Sequence, residues 1–324
     1  MTDNTPQAVP DITEEFRQRV NKIYESWHQN EISFPIALTQ IEALRKEAIA
    51  EDNKLNEAGI YNILGIMYGY RSSYDDSIKN FDKARELFHD SGAIRRTATV
   101  DLNLGETYRL LGNFTRAKTY FRRAYEEAKT LEEIPLQVLA LTNEGQMWFS
   151  LKSFDKARAT LEKSLHISET EWHPENDREK INFADNACEI HHALVSVHLG
   201  IDNPEEAWEH AIKAFGHAEY SGRIVRMGYA YRALGDVITQ LGESPDPDYN
   251  SDVDYYYDQA MSAFKQVKAE GEVAKTLLAQ GQSLSKRGKK RSAGNKYQQA
   301  MVLFTRLGMM DSAAEAAQAQ TETI

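Results

Sequence analysis

Three stretches of this chain superimpose without a gap: LGIMYGYRSSYDDSIKNFDKA from Leu64, LGETYRLLGNFTRAKTYFRRA from Leu104, and EGQMWFSLKSFDKARATLEKS from Glu144. Gly65, Gly105 and Gly145 share a column, and so do Tyr68, Tyr108 and Trp148. Tyr74, Phe114 and Phe154 form a third column, Ser77, Ala117 and Ala157 a fourth, and Phe81, Phe121 and Leu161 a fifth. The period is 40 residues. Apolar residues recur at helical spacing on both sides of a short polar link (RSS, GN or KS), which predicts two antiparallel helices per unit. The glycine and alanine columns imply close approach of the two helix backbones. The aromatic columns are expected to fill the space between one hairpin and the next. A single hairpin cannot bury its apolar face alone, so the units must stack.

Weaker units extend the array both ways. Upstream, Tyr24, Phe34, Ala37, Ile41 and Leu44 sit one period before Leu64, Tyr74, Ser77, Phe81 and Ala84, giving a degenerate unit over 12–53. Downstream, Leu194, Ala207 and Ala214 keep the register after a ten-residue insertion. Pro204 takes the aromatic column there and starts the second helix, where a missing N–H costs little. Ala233, Leu234 and Gly235 open a sixth unit that resumes at Tyr257, Ala260 and Phe264. Gly281, Leu284, Ala293, Tyr297 and Ala300 make a seventh. The strong repeats thus span 58–165, degenerate ones 12–53 and 188–307, and a capping helix 309–322. Residues 1–11 read as a disordered N-terminus and 12–324 as one domain.

The columns over 58–165 resemble the tetratricopeptide repeat, whose pattern is L-G-x2-Y, then A-x3-F, then a final small residue. The closing proline is missing and the period exceeds the family's usual 34, so this is similar to the long-repeat variety. The second helix of each unit is expected to be longer by about a turn and a half. The resemblance implies an all-α, right-handed solenoid of about seven antiparallel helix pairs, the first helix of each lining a concave wall where peptides lie. The wall positions it implies are Asn62 and Tyr70, then Asn103, Glu106 and Arg109, then Asn143 and Gln146. In later units they are His192, then Tyr229, Arg232 and Asp236, with Arg19, Glu189 and Lys275 also on the wall. Asn and Gln can donate to and accept from a peptide backbone at once. The family's clamp for a peptide C-terminus is incomplete, since Thr99 and Leu102 stand where it needs polar groups.

Composition narrows the function. Charged residues make up 27% and hydrophobic ones 41%, normal for a folded chain. A net charge of -11 disfavours general nucleic-acid binding, because phosphates demand a basic surface. The lone cysteine, Cys188, excludes an intrachain disulfide and a multi-cysteine zinc site. The polar, acidic N-terminus and the lack of any apolar run near ~20 residues lead to a cytoplasmic expectation, with no membrane contact. No phosphate loop, dinucleotide fingerprint, nucleophile elbow or metal-hydrolase helix appears, so no enzyme activity, cofactor or metal is expected.

Four further features stand out. Asp246, Asp248, Asn250, Asp252 and Asp254 alternate like a calcium loop, but Ser251 and Tyr257 occupy the positions that need Gly and Glu. A solvated acidic loop or a partner contact remain the readings for 242–258, with Tyr257 in the core. Residues 286–291 form a basic run in a turn, either solvated or a site for an acidic partner. Cys188, His191, His192 and His198 share one helix, with His191 and His198 in apolar columns. Trp172 either anchors a partner or packs its loop. The expected function is a protein- or peptide-binding scaffold or adaptor. A regulatory sensor of a signalling peptide or small ligand is the alternative, and self-association is a further option.

Overall fold

A computed structural model describes residues 11–28, 31–71 and 73–323; among them the regular structure is fifteen helices and no strand. The chain forms two compact units, Met1–Asn143 and Glu144–Ile324. The first holds α1 (Glu14–His28), α2 (Phe34–Ala50), α3 (Lys54–Tyr70), α4 (Tyr74–Asp90), α5 (Ile94–Leu110) and α6 (Phe114–Thr130). Helix α7 (Ile134–Ser150) begins there and ends in the second unit. The second continues with α8 (Phe154–Glu171), α9 (Asp177–Gly200), α10 (Pro204–Ser221), α11 (Ile224–Leu241) and α12 (Val253–Gln266). It closes with α13 (Glu270–Lys286), α14 (Lys290–Arg306) and α15 (Met310–Thr323). The fold is the expected all-α stack of antiparallel helix pairs, with α15 in the place foreseen for a capping helix. The expected N-terminal disorder falls outside the described residues except at Asp11, which accepts from Arg96 Nε at 2.6 Å.

The extra length of the repeat is shared, not given to the second helix. Helices α3 to α6 are 17 residues each, joined by three-residue links, which together make the 40-residue period. In the links after α4, α5, α6 and α7 the middle residue is left-handed: Gly92 at φ 72°, Gly112 at 75°, Glu132 at 56° and Lys152 at 53°. That conformation lets the next N–H reach back to the helix end, as Asn113 N does to Tyr108 O at 2.8 Å. Asn113 then caps α6 by accepting from Arg116 N, and Asn53 and Asn203 do the same for α3 and α10.

The small column has a different cause from backbone contact. A Cβ added to Gly65 would lie 2.5 Å from the Phe81 ring, and one on Gly105 2.5 Å from Phe121. In the second unit Gly145 meets Leu161 and Gly281 meets Tyr297, each at 2.6 Å. The fifth column therefore fills the hole left by the first, inside its own hairpin. Phe81 and Phe121 are buried, and each such ring contributes roughly 1.5–3 kcal/mol by leaving water.

The insertion in the fifth pair goes mainly into α9, which has 24 residues. Trp172, which caps α8, is buried with its ring edge-on to Phe183 of α9 at 5.6 Å. It packs the insertion and is not presented to a partner. Pro204 opens α10 as expected.

Candidate peptide-binding face

In the first unit the wall positions of α3 and α5 pair with each other. Asn103 Nδ2 donates to Asn62 Oδ1 at 3.0 Å, so neighbouring pairs are tied through amides. Arg109 donates to both oxygens of Glu106, at 2.7 and 2.5 Å, and its fork is engaged within α5. Tyr70 is 61% exposed, its ring edge-on to Trp27 and His28. Asn143 is half-buried.

The fully buried charge of that unit turns to the second helices. Asp101 of α5 is fully buried. It accepts from Arg85 Nε of α4 at 2.7 Å and Arg123 Nε of α6 at 2.6 Å.

The second unit puts its charge on the first helices. Gln146 Nε2 donates to Glu189 Oε1 at 3.3 Å, and Arg226 donates to Glu189 Oε2 at 3.0 Å. These bonds run from α7 to α9 to α11. Arg223 pairs with Asp185 at 2.6 Å, yet Asp185 Oδ1 is buried without a hydrogen-bond partner. Two turns further along α11, Arg232 donates to Glu272 of α13 at 2.8 Å and lies over the rings of Tyr229 and Phe264. Lys275 donates to Glu272 at 2.8 Å. Burial alone would raise the Glu272 carboxyl, but Arg232 and Lys275 overcome it and hold it at about 2. His192 faces Tyr229, centroids 5.4 Å apart, and burial with Arg232 nearby pushes its imidazole down to about 3.

Asp236 behaves differently from its neighbours. Its carboxylate accepts from Tyr257 Oη at 2.7 Å, on the second helix of its own pair. Burial lifts it to about 6 against that bond and Arg232. Tyr257 itself is buried in the core, as the repeat register requires.

Sequence reading missed Asp185, Arg226 and Glu272. A signal existed for Glu272, which lies one period after Arg232. Asp185 and Arg226 fall in the insertion and off the columns, where register gives no guide.

The other singled-out segments are occupied locally. Asp246, Asn250 and Asp252 accept from the backbone N–H of Asp248, Asp252 and Asp254. Asp254 takes both nitrogens of Arg287, at 3.2 and 2.7 Å, so the acidic loop partly neutralises the basic run. Among the described residues no three His, Cys, Asp or Glu side chains converge as metal ligands would. No described helix is long and apolar enough to cross a membrane.

Family models of the tetratricopeptide repeat match residues 56–130 and 102–171. This segment, 56–171, belongs to the tetratricopeptide repeat family. A 120-residue stretch is 30% identical to the anaphase-promoting complex subunit CDC16 of Saccharomyces cerevisiae; it is 37% of this chain and 14% of that protein. Among solved structures, the chain is similar to a Rap protein complexed with competence and sporulation factor. The TM-score is 0.61 at 15% identity, over 95% of this chain and 84% of that one. It is also similar to the Rap conjugation gene regulator of plasmid pLS20 with the Phr* peptide. There the TM-score is 0.63 at 15% identity, over 97% and 82% of the two chains. The apo quorum sensor NprR of B. thuringiensis gives 0.57 at 10% identity, over 96% and 89%. At these identities the likeness is one of fold.

Proposed function

We propose that the chain is a non-catalytic scaffold that binds a protein or peptide along the first helices of its second unit. The observation that carries this reading is the series of half-buried polar side chains bridging successive first helices, from Gln146 through Glu189 and Arg226, and from Arg232 to Glu272. Their charges are matched in pairs, so the face suits a peptide of mixed polarity better than a highly charged ligand. Asp185 Oδ1, buried, without a hydrogen bond and 3.9 Å from Arg226 Nε, offers an acceptor for a peptide N–H. In the first unit, Asn62, Asn103 and Asn143 supply amides of the kind that read a backbone.

A regulatory sensor is the second reading. It is favoured by the likeness, over nearly the whole chain, to folds solved with a sporulation factor and with the Phr* peptide. A cytoplasmic setting goes with either, since a single cysteine, Cys188, cannot form the intrachain disulfides common in oxidising compartments.

The test is affinity capture compared between the wild type and a folded Gln146→Ala, Glu272→Gln variant. A partner held by the first and released by the second supports the binding face; equal capture removes it. Small-angle scattering with that partner then separates the two readings. A change in radius of gyration on binding is expected of a sensor, and an unchanged radius of a scaffold.

A further inference from the structure

Four histidines, none among the proposed ligand contacts, stack in a line between α9 and α10. His217 lies against His191 with ring centroids 5.6 Å apart and planes 14° from parallel. His191 lies against His210 at 5.2 Å, and His210 against His198 at 5.3 Å. The line therefore alternates between the two helices. His191 and His198 are seven residues apart, as are His210 and His217. That is about two turns, which puts each pair on one face of its helix. The Nδ1 atoms of His191 and His210 are 2.9 Å apart. Such a bond needs one nitrogen protonated and the other with a free lone pair, so both rings cannot carry a second proton there. His191 and His198 are buried, and His198 Nδ1 has no hydrogen-bond partner. A proton on that atom would lack an acceptor.

We propose that this histidine ladder is a proton-sensitive latch: neutral imidazoles hold α9 to α10, and mild acidification releases the pair.

The surroundings are mixed in sign. Lys213 of α10 and Arg158 of α8 oppose protonation, while Glu206 of α10 and Glu162 and Glu169 of α8 favour it. Phe183 of α9 closes the His217 end at 6.2 Å. Burial outweighs the acids, and all four imidazoles are lowered, His191 to about 3 and His210 to about 4. The ordinary value is 6.5. The folded pKa lies below the unfolded one, so this contribution is complete above the unfolded value. It is lost as pH falls from there towards the folded values.

The experiment is hydrogen–deuterium exchange on the full chain at about pH 7.5 and about pH 5, corrected for intrinsic rates. At the lower pH each imidazole held neutral favours the open state by about 30-fold. Amides of 177–221 should lose protection by at least that factor, while those of 290–306 change far less. Equal loss over both segments, or no loss over 177–221, overturns the latch. A His191→Phe, His210→Phe variant keeps the stacked rings and removes two of the four titrating groups, so its 177–221 segment should lose less protection in acid than the wild type's; an equal loss would overturn the latch. Where that variant does not fold, the imidazole resonances of the wild type decide. Midpoints well below the ordinary value sustain the latch, and midpoints near it overturn it.

Discussion

The first unit turns its buried charge towards the flanking second helices, through Asp101 between Arg85 and Arg123. On the wall, Asn62 of α3 meets Asn103 of α5, and the Arg109–Glu106 pair closes within α5. The second unit reverses this. Its ion pairs, Arg226 with Glu189 and Arg232 with Glu272, lie between successive first helices. One repeat architecture thus carries two distributions of charge, and only the second links successive first helices by ion pairs on the face where a ligand is proposed to lie. Charge that serves packing alone should affect stability and leave binding untouched; charge on the ligand face should affect both.

Asp101→Asn is expected to have the largest effect, a loss of about 3 kcal/mol in chemical denaturation, because two guanidinium groups lose their shared buried counter-charge and an amide N–H2 replaces one accepting oxygen. Partner capture by the folded fraction should be unchanged; reduced capture would erase the distinction between the units. Glu272→Gln should cost about 2 kcal/mol, since the amide still accepts a hydrogen bond but leaves the largely buried Arg232 without its counter-charge. In this case capture should fall as well.

Asp236 sharpens the contrast through pH. Its folded pKa, about 6, is raised above the ordinary 3.8. Its stabilisation is therefore complete below the unfolded value and is lost as pH rises through the folded one. Asp236→Asn still accepts from Tyr257 and should be more stable than the wild type at neutral pH by about 1–2 kcal/mol. Denaturation curves of the two proteins should converge in acid, and a constant gap would rule this out. The histidine ladder of the same unit acts in the opposite direction.

The smallest effect is expected at a link. Glu132 holds a left-handed conformation that Gly112 adopts freely in the equivalent turn. Glu132→Gly should therefore stabilise by about 0.5–1 kcal/mol, read as a higher midpoint of thermal unfolding. No gain would mean that the neighbouring Glu133–Arg95 pair, at 2.9 Å, depends on the turn as Glu132 sets it.

Most of the fold was legible because it is periodic. Columns such as Gly105 and Phe121 repeat wherever a helix pair repeats, and the number of pairs follows from counting them. The cause of the glycine column was not legible, since backbone approach and a ring filling the same hole leave the same small residue. The length of α9 was equally hidden, because an insertion shows where the register breaks and not whether it coils. The wall positions were placed by resemblance, and the structure adds their bonds: Asn62 with Asn103, His192 beside Tyr229, Arg232 on Glu272. Asp236 faces Tyr257, which a column cannot show. The histidine ladder needed the pairing of α9 with α10, although two seven-residue histidine spacings on adjacent helices were its trace.

The uniform links have a consequence for how such a chain can change its length. Gly92 and Glu132 occupy equivalent places in two turns of the same shape, 40 residues apart. Excising residues 93–132 would set Gly92 before Glu133 in that same turn, and the strand of chain would enter its next helix on the original heading. A recombination event of one period, in either direction, therefore yields a shorter or longer array with no new junction to invent, and each surviving glycine still finds the ring that belongs to it.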